Sequence, residues 1–142
     1  MRNVSQVIDR KGSRIVSVRR DAPVLEAIRV MAEHHIGAVL VMDGEQLIGI
    51  ASERDYARKV VLQGRSSSDT EVAMIMSSPV VCVRPQDTIA ECMSIMTDKH
   101  IRHLPVIEGE RVVGVVSIGD LVKELIDEQK QEISLLQQYI AG

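Results

Sequence analysis

Two short stretches carry the polar residues with the most chemical promise. "GIASERD" (residues 49–55) returns as "GVVSIGD" (residues 114–120), each with a Gly, a Ser three positions on and an Asp three beyond that. Ser52 and Ser117 can donate to a phosphate oxygen or cap the start of a helix. Asp55 and Asp120 can accept from two vicinal hydroxyls, the pair that a ribose presents. Gly49 and Gly114 let another backbone or a flat ring come close. The competing reading is local: Ser caps the helix and Asp complements its dipole. A phosphate role requires a helix N-terminus, where unpaired N–H groups and partial positive charge meet an anion.

The flanking elements supply that setting. Displaced by 65 residues, Ile15–Lys59 overlays Val80–Glu124 without a gap, with identities at Glu26/Glu91, His35/His100, Gly44/Gly109, Gly49/Gly114, Ser52/Ser117 and Asp55/Asp120. Self-similarity of this kind marks a duplicated structural unit. Each copy reads β-α-β-β-α. "RIVSVR" and "PVVCVR" are β-branched runs and predict strands. Val24, Leu25, Ile28, Met31 and Ala32 fall on one helical stripe, and Ile89, Met93 and Met96 on another. Pro23 suits a first helical turn, and Thr88-x-x-Glu91 resembles a capping box. "GAVLVM" and "HLPVI" predict strands that turn at Asp43-Gly44 and Glu108-Gly109 into the hairpin partners "LIGIAS" and "VVGVVS". Helical spacing then resumes at Tyr56, Val60 and Val61, and at Leu121, Val122 and Leu125. "LQGRSSSDT" is a polar linker, and "DTEVAMIM" predicts a short helix behind it. The tail extends the last helix, with Leu125, Ile133, Leu136 and Ile140 near one face. It either packs on its own domain or pairs with another helix, since an isolated helix of this length is marginal.

Composition narrows the function. With 142 residues the chain suits one domain or two small units sharing a core. There is no Phe or Trp and Tyr occurs only at Tyr56 and Tyr139, so aliphatic residues and Met must fill the core and no stacking platform for single-stranded nucleic acid exists. A net charge of −3 offers no broad basic field, and "RKGSR" is too short to make one. No apolar run approaches a membrane span or a secretory signal, which predicts a soluble, cytoplasmic protein. Cys82 and Cys92 lie in apolar segments and read as two buried free thiols rather than nucleophiles. His34-His35 and His100-x-x-His103 lack a zinc-like spacing, so no metal is expected; His35 and His100 match each other at helix ends. Asp55 and Asp120 have matching surroundings, unlike an acid/base pair, and the chain is read as no enzyme.

"IGAVLVMDGEQLIGIASERD" and "IRHLPVIEGERVVGVVSIGD" together resemble a tandem CBS-domain pair, or Bateman module, over about Ile15–Ile126. "SERDYARKVVLQGRSSS" is similar to a subgroup of stand-alone CBS pairs in bacteria and plant organelles. The resemblance implies an α+β fold of two β-α-β-β-α repeats packed about a pseudo-twofold axis. Its expected boundaries are repeat 1 with the N-terminal segment at 1–62, a linker and short helix at 63–76, repeat 2 at 77–126 and a helical tail at 127–142. It also implies adenosine ligands in clefts between the repeats, AMP first, then ADP, ATP, NAD(H) or S-adenosylmethionine. Carried over by position, one site combines Ser52, Arg54 and Asp55 with Met76, Val80, Val81, Ile101, Arg102 and His103. The other combines Lys11, Val16, Ile36, Gly37 and Ala38 with Ser117, Gly119 and Asp120. Arg54, Arg102 and His103 suggest a phosphate corner, His103 being sensitive to pH near 6–7. The implied protein is a regulatory homodimer that passes a ligand-driven change to an unidentified partner, without nucleic acid or membrane. The alternative is an interaction protein that acts through its C-terminal helix.

Overall fold

In a computed structural model, residues 1–12 and 14–141 are described. Ser13, within "RKGSR", and Gly142, the last residue of the expected tail, lie outside them. The elements are α1 (Val4–Lys11), β1 (Ser17–Val18), α2 (Val24–His34), β2 (Ala38–Asp43), β3 (Gln46–Ser52), α3 (Glu53–Tyr56), α4 (Ile89–Lys99), β4 (His103–Glu108), β5 (Arg111–Ser117) and α5 (Ile118–Ala141). They form two units. One holds residues 14–81; the other joins the N-terminal segment to residues from Cys82 onward.

In the first unit β2 lies between β1, parallel to it, and β3, antiparallel. Every residue from Ala38 to Val41 is buried, as in a strand covered on both faces. Helix α2 buries Val24, Ala27 and Met31. Ala32, expected on that stripe, is exposed, because i, i+3, i+7 from Val24 runs through Ala27. Helix α3 continues as a π-helical stretch, Ala57–Val61, in which the Leu62 N–H reaches the Ala57 carbonyl at 3.0 Å. The wider turn buries Val60 but leaves Val61 56% exposed, so these two do not share the face that regular helical spacing predicts.

The segment expected as a linker is packed into this unit. The Val24 N–H donates to the Thr70 carbonyl at 2.8 Å and the Val72 N–H to the Ala22 carbonyl at 2.9 Å. Val72 and Ile75 are fully buried in its core, and the expected short helix is one 3₁₀ turn, Val72–Met74. Met76 then covers Gly49.

In the second unit α4 starts at the capping box read from the sequence: Thr88 Oγ1 accepts from the Glu91 N–H at 3.1 Å. The hairpin β4–β5 repeats β2–β3, down to a register shift at the matching place, Val106/Ile107 against Val41/Met42. "PVVCVR" does not form the expected strand; Val83 alone bridges Val106. A parallel ladder would need N–H groups from Pro105 on one side of that bridge and Pro85 on the other, and proline has none. The first repeat has Leu40 where the second has Pro105, and the Leu40 N–H donates to the Val16 carbonyl at 3.2 Å. "RIVSVR" accordingly keeps a strand, though only over Ser17–Val18.

Helix α1, expected with repeat 1, packs on repeat 2 instead. It buries Val4 and Val7, and its Val4 N–H donates to the Asp87 carbonyl at 2.9 Å. Ile8 sits over Gly114 as Met76 sits over Gly49. His35 and His100 end α2 and α4 in the left-handed region, φ 54° and 55°, where His is tolerated better than most residues. Of the two cysteines expected to be buried, Cys92 is, but Cys82, on the run that fails to form a strand, is exposed.

The two sheet glycines predict different tolerances. A Cβ on Gly114 meets only the far end of Ile8, Cδ1 at 2.5 Å, with the next atom at 3.6 Å. A Cβ on Gly49 runs into Met76 Sδ, and also Cγ at 2.9 Å and Cβ at 3.2 Å, close to the backbone. We expect Gly49→Ala to cost about 1–3 kcal/mol and Gly114→Ala under about 1 kcal/mol. Urea unfolding measures both, and equal costs would contradict the difference in packing.

Candidate functional site

Both Ser-x-x-Asp signatures sit where a strand runs into a helix, β3 into α3 and β5 into α5. Each folds as a capping box. In the first unit Ser52 Oγ accepts from the Asp55 N–H at 3.2 Å, while Asp55 Oδ2 accepts from the Ser52 N–H at 2.9 Å and from its hydroxyl at 3.0 Å. In the second, Ser117 Oγ accepts from the Asp120 N–H at 3.2 Å and Asp120 Oδ2 from the Ser117 N–H at 2.8 Å. The capping reading of Ser and Asp therefore holds in the structure. It leaves acceptor capacity over, since an ionised carboxylate offers about four lone-pair sites.

Each corner abuts its own neighbouring strand entrance. Ala38 faces Ser52 across the β2–β3 ladder, and the Gly37 carbonyl accepts from the Glu53 N–H at 3.0 Å. His103 faces Ser117 in the same way, and the Arg102 carbonyl accepts from the Ile118 N–H at 2.9 Å. Within single units the structure thus brings residues 36–38 to Ser52 and Asp55, and residues 101–103 to Ser117 and Asp120. Arg54 lies in the first turn of α3, and Met76, Val80 and Val81 are half-buried in the same unit. Gly119 is exposed, with only Ser117 Oγ, at 3.7 Å, near the place of a Cβ. Val16 and Ile36 are half-buried and pack against the first unit's core.

A lysine reaches each aspartate, by different routes. Lys59, one turn along from Asp55, approaches its Oδ1 at 3.4 Å and donates to the Ile75 carbonyl at 3.0 Å. Sequence reasoning missed Lys59, although its i,i+4 spacing from Asp55 is a readable signal. Lys11 comes from α1 and donates to Asp120 Oδ2 at 2.7 Å and to the Val115 carbonyl at 2.9 Å. Burial alone would raise the Asp120 carboxyl, but the hydrogen bonds from Lys11 and Ser117 and the Lys11 charge bring it below its ordinary value. His103 is lowered from its ordinary 6.5, first by burial and then by the charges of Lys11 and Arg102, against the opposing pull of Asp120. Cys92 is pushed up to about 11, mainly by burial, which makes it a poor nucleophile.

A second polar cluster was also missed. Glu124, 3% exposed, accepts from Arg2 Nη1 at 2.8 Å and lies 3.4 Å from Arg10 Nη1. Asp127 accepts from Arg2 at 2.6 Å and from Arg10 at 2.9 Å, and Arg2 donates further to Gln131. No local spacing announces contacts between the first ten residues and the last helix. Among the described residues no three His, Cys, Asp or Glu side chains gather as a metal site, and no helix is long and apolar enough to cross a membrane.

The chain carries the sheet-and-helix repeat twice, each with a Ser-x-x-Asp corner, and the CBS domain model matches it twice, over residues 4–62 and 72–127. The chain belongs to the CBS-domain family and has its α+β tandem fold. It is 43% identical over 127 residues to the mitochondrial CBS domain-containing protein CBSX3 of Arabidopsis thaliana, covering 86% of this chain but only 62% of that longer protein. A solved CBS-domain protein of Burkholderia ambifaria is 48% identical with a TM-score of 0.86, over 89% of this chain and 96% of that one. At 20% identity, a CBS domain pair solved with 5′-methylthioadenosine and S-adenosyl-L-methionine shares the fold, with a TM-score of 0.78 over 89% of this chain and 97% of that one.

The electrostatics of the Asp120 corner can be read through His103. Its lowered folded-state value means that it contributes stability above the unfolded value near 6.5 and loses it as pH falls below that toward the folded value. Lys11→Met removes one of the charges that lower it, so the His103 midpoint should rise. NMR titration of the imidazole Cε1–H, assigned with His103→Asn, measures this; an unmoved midpoint would show that Lys11 does not act on the corner.

Proposed function

We propose that the protein is a regulatory module that binds an adenosine-containing ligand, AMP first, at its Ser-x-x-Asp corners and presents its ligand state to a partner protein. The observation that carries this reading is the recurrence, in both units, of an Asp held by a capping box at a helix N-terminus with acceptor capacity to spare and a basic side chain beside it. Such a corner suits a ribose diol attached to an anionic group. Support also comes from the structural relative bound to two adenosine derivatives. In this reading Ser52, Arg54 and Asp55 hold one ribose, and Ser117, Gly119 and Asp120 the other. Met76, Val80, Val81, Val16 and the strand entrances at 36–38 and 101–103 line the ligand's surroundings. The module turns nothing over and uses no metal.

Thermal unfolding followed by circular dichroism tests this with AMP, ADP, ATP, NAD, NADH and S-adenosylmethionine. A ligand at about 100 times its Kd adds roughly 2.7 kcal/mol and raises the midpoint by several degrees. Asp55→Ala and Asp120→Ala should each reduce the shift. No shift with any of the six would defeat the ligand reading.

The exposed end of α5 favours a second reading, an interaction protein that acts through this helix. Ile126, Ile133, Leu136 and Ile140 are 46%, 54%, 61% and 83% exposed, at spacings of seven, three and four that suit a coiled-coil seam. Under our proposal the seam joins two copies into a homodimer. Ile133→Glu with Leu136→Glu should then give a monomer by light scattering, with nucleotide shifts intact. Loss of a different bound protein, with the wild-type chain itself monomeric, would favour the second reading. Truncation is a poor substitute: cutting after Ile126 also removes Asp127 and Gln131, which hold Arg2.

A further inference from the structure

Helix α5 carries different chemistry on two faces. Glu124, Asp127 and Gln131 take the side chains of Arg2 and Arg10. About half a turn around the helix, Val122, Ile126, Ile133, Leu136 and Ile140 form an exposed apolar line, which the N-terminal segment therefore does not cover. With Gln129, also exposed, the line advances by alternating steps of four and three residues, the spacing of a coiled-coil seam. Isoleucine stands at each position of one kind, 126, 133 and 140, and Val122, Gln129 and Leu136 stand at the other. In parallel coils, β-branched residues at the first kind with leucine at the second favour two strands.

Gln129 decides which occupant fits and which way it runs. In an antiparallel pair the two kinds of position face each other. Gln129 then meets an isoleucine of the second copy in every register, and its amide is enclosed without a partner. In a parallel pair like faces like, so Gln129 meets the second copy's Gln129, and each amide offers the other a donor and an acceptor. A second copy of this chain supplies that partner by symmetry. The flanks agree. Antiparallel packing at full overlap sets Lys130 against the second copy's Lys130 and Glu132 against its Glu132. Parallel packing sets Glu132 beside the second copy's Gln137, and Leu125 beside the aliphatic stem of its Lys130.

We infer that α5 joins two copies of this chain as a parallel, in-register two-stranded coil, oriented by the Gln129 pair. The inference rests on the homodimer reading and deepens it: α5 starts at Ile118, so both Ser117–Asp120 corners come to the same end of the coil.

Disulfide trapping of the full chain tests the orientation, in a Cys82→Ser background that removes the exposed native cysteine. In the parallel coil Ile126→Cys and Leu136→Cys each face their own counterpart. Each variant oxidised alone should become a disulfide dimer, and the two mixed before oxidation should give no 126–136 link by peptide mass mapping. Gln138→Cys, on the opposite face, should stay unlinked. Circular dichroism and light scattering on the reduced variants check that they are folded and dimeric. Gln129→Leu should admit the 126–136 link, and its continued absence would take the orienting role away from Gln129. A 126–136 link in the chain that keeps Gln129, with neither variant linking alone, overturns the parallel coil and leaves the homodimer standing. No link of any kind in dimeric variants overturns the seam itself. A wild-type chain that is monomeric at micromolar concentrations defeats the homodimer reading and this inference together.

Discussion

A carboxylate buried at Glu124 sets the arrangement of the second unit. At 3% exposure it cannot rely on water, and an unpaired charge in that position would cost several kcal/mol. The donors that answer it are Arg2 and Arg10, from the other end of the chain. Asp127 extends the contact along α5 to the same two arginines, and their hydrogen bonds hold its carboxyl below the usual range. Helix α1 is therefore tied to α5 at both of its own ends. That tie sets Ile8 over Gly114 and delivers Lys11 to Asp120.

The duplicated backbone has been given different chemistry at corresponding positions. Lys59 in the first repeat matches Glu124 in the second, so the position that supplies a cation to Asp55 supplies a buried anion to Arg2 and Arg10 instead. The cation beside Asp120 must then come from elsewhere, and Lys11 provides it. Arg54 against Gly119 adds to the divergence, as does the helix that follows each corner: a π-helical stretch ending at Val61 in one unit, 24 residues of α-helix in the other. Two copies of one signature have become two unlike corners, one self-contained and the other dependent on the N-terminal helix.

Much of this was legible in the chain. The repeat, the hairpins at Asp43-Gly44 and Glu108-Gly109, the capping box at Thr88 and the strand-to-helix position of both Ser-x-x-Asp corners follow from short-range rules: period two or 3.6, turn residues, and a side chain that bonds a backbone three residues on. Those rules act within a few residues, so they can be read within a few residues. What escaped them was settled by partners distant in sequence. The run "PVVCVR" has strand composition, yet the ladder it needs is closed by Pro105 on another strand. Residues 63–76 read as a linker and a short helix between the repeats, yet Val72 and Ile75 complete a core. Helix α1 precedes the first repeat but belongs with the second, because the charge it must neutralise, Glu124, lies 122 residues beyond Arg2. Local pattern specified the elements and the chemistry that they carry; burial, with its demand that every enclosed polar group find a partner, decided which elements came together.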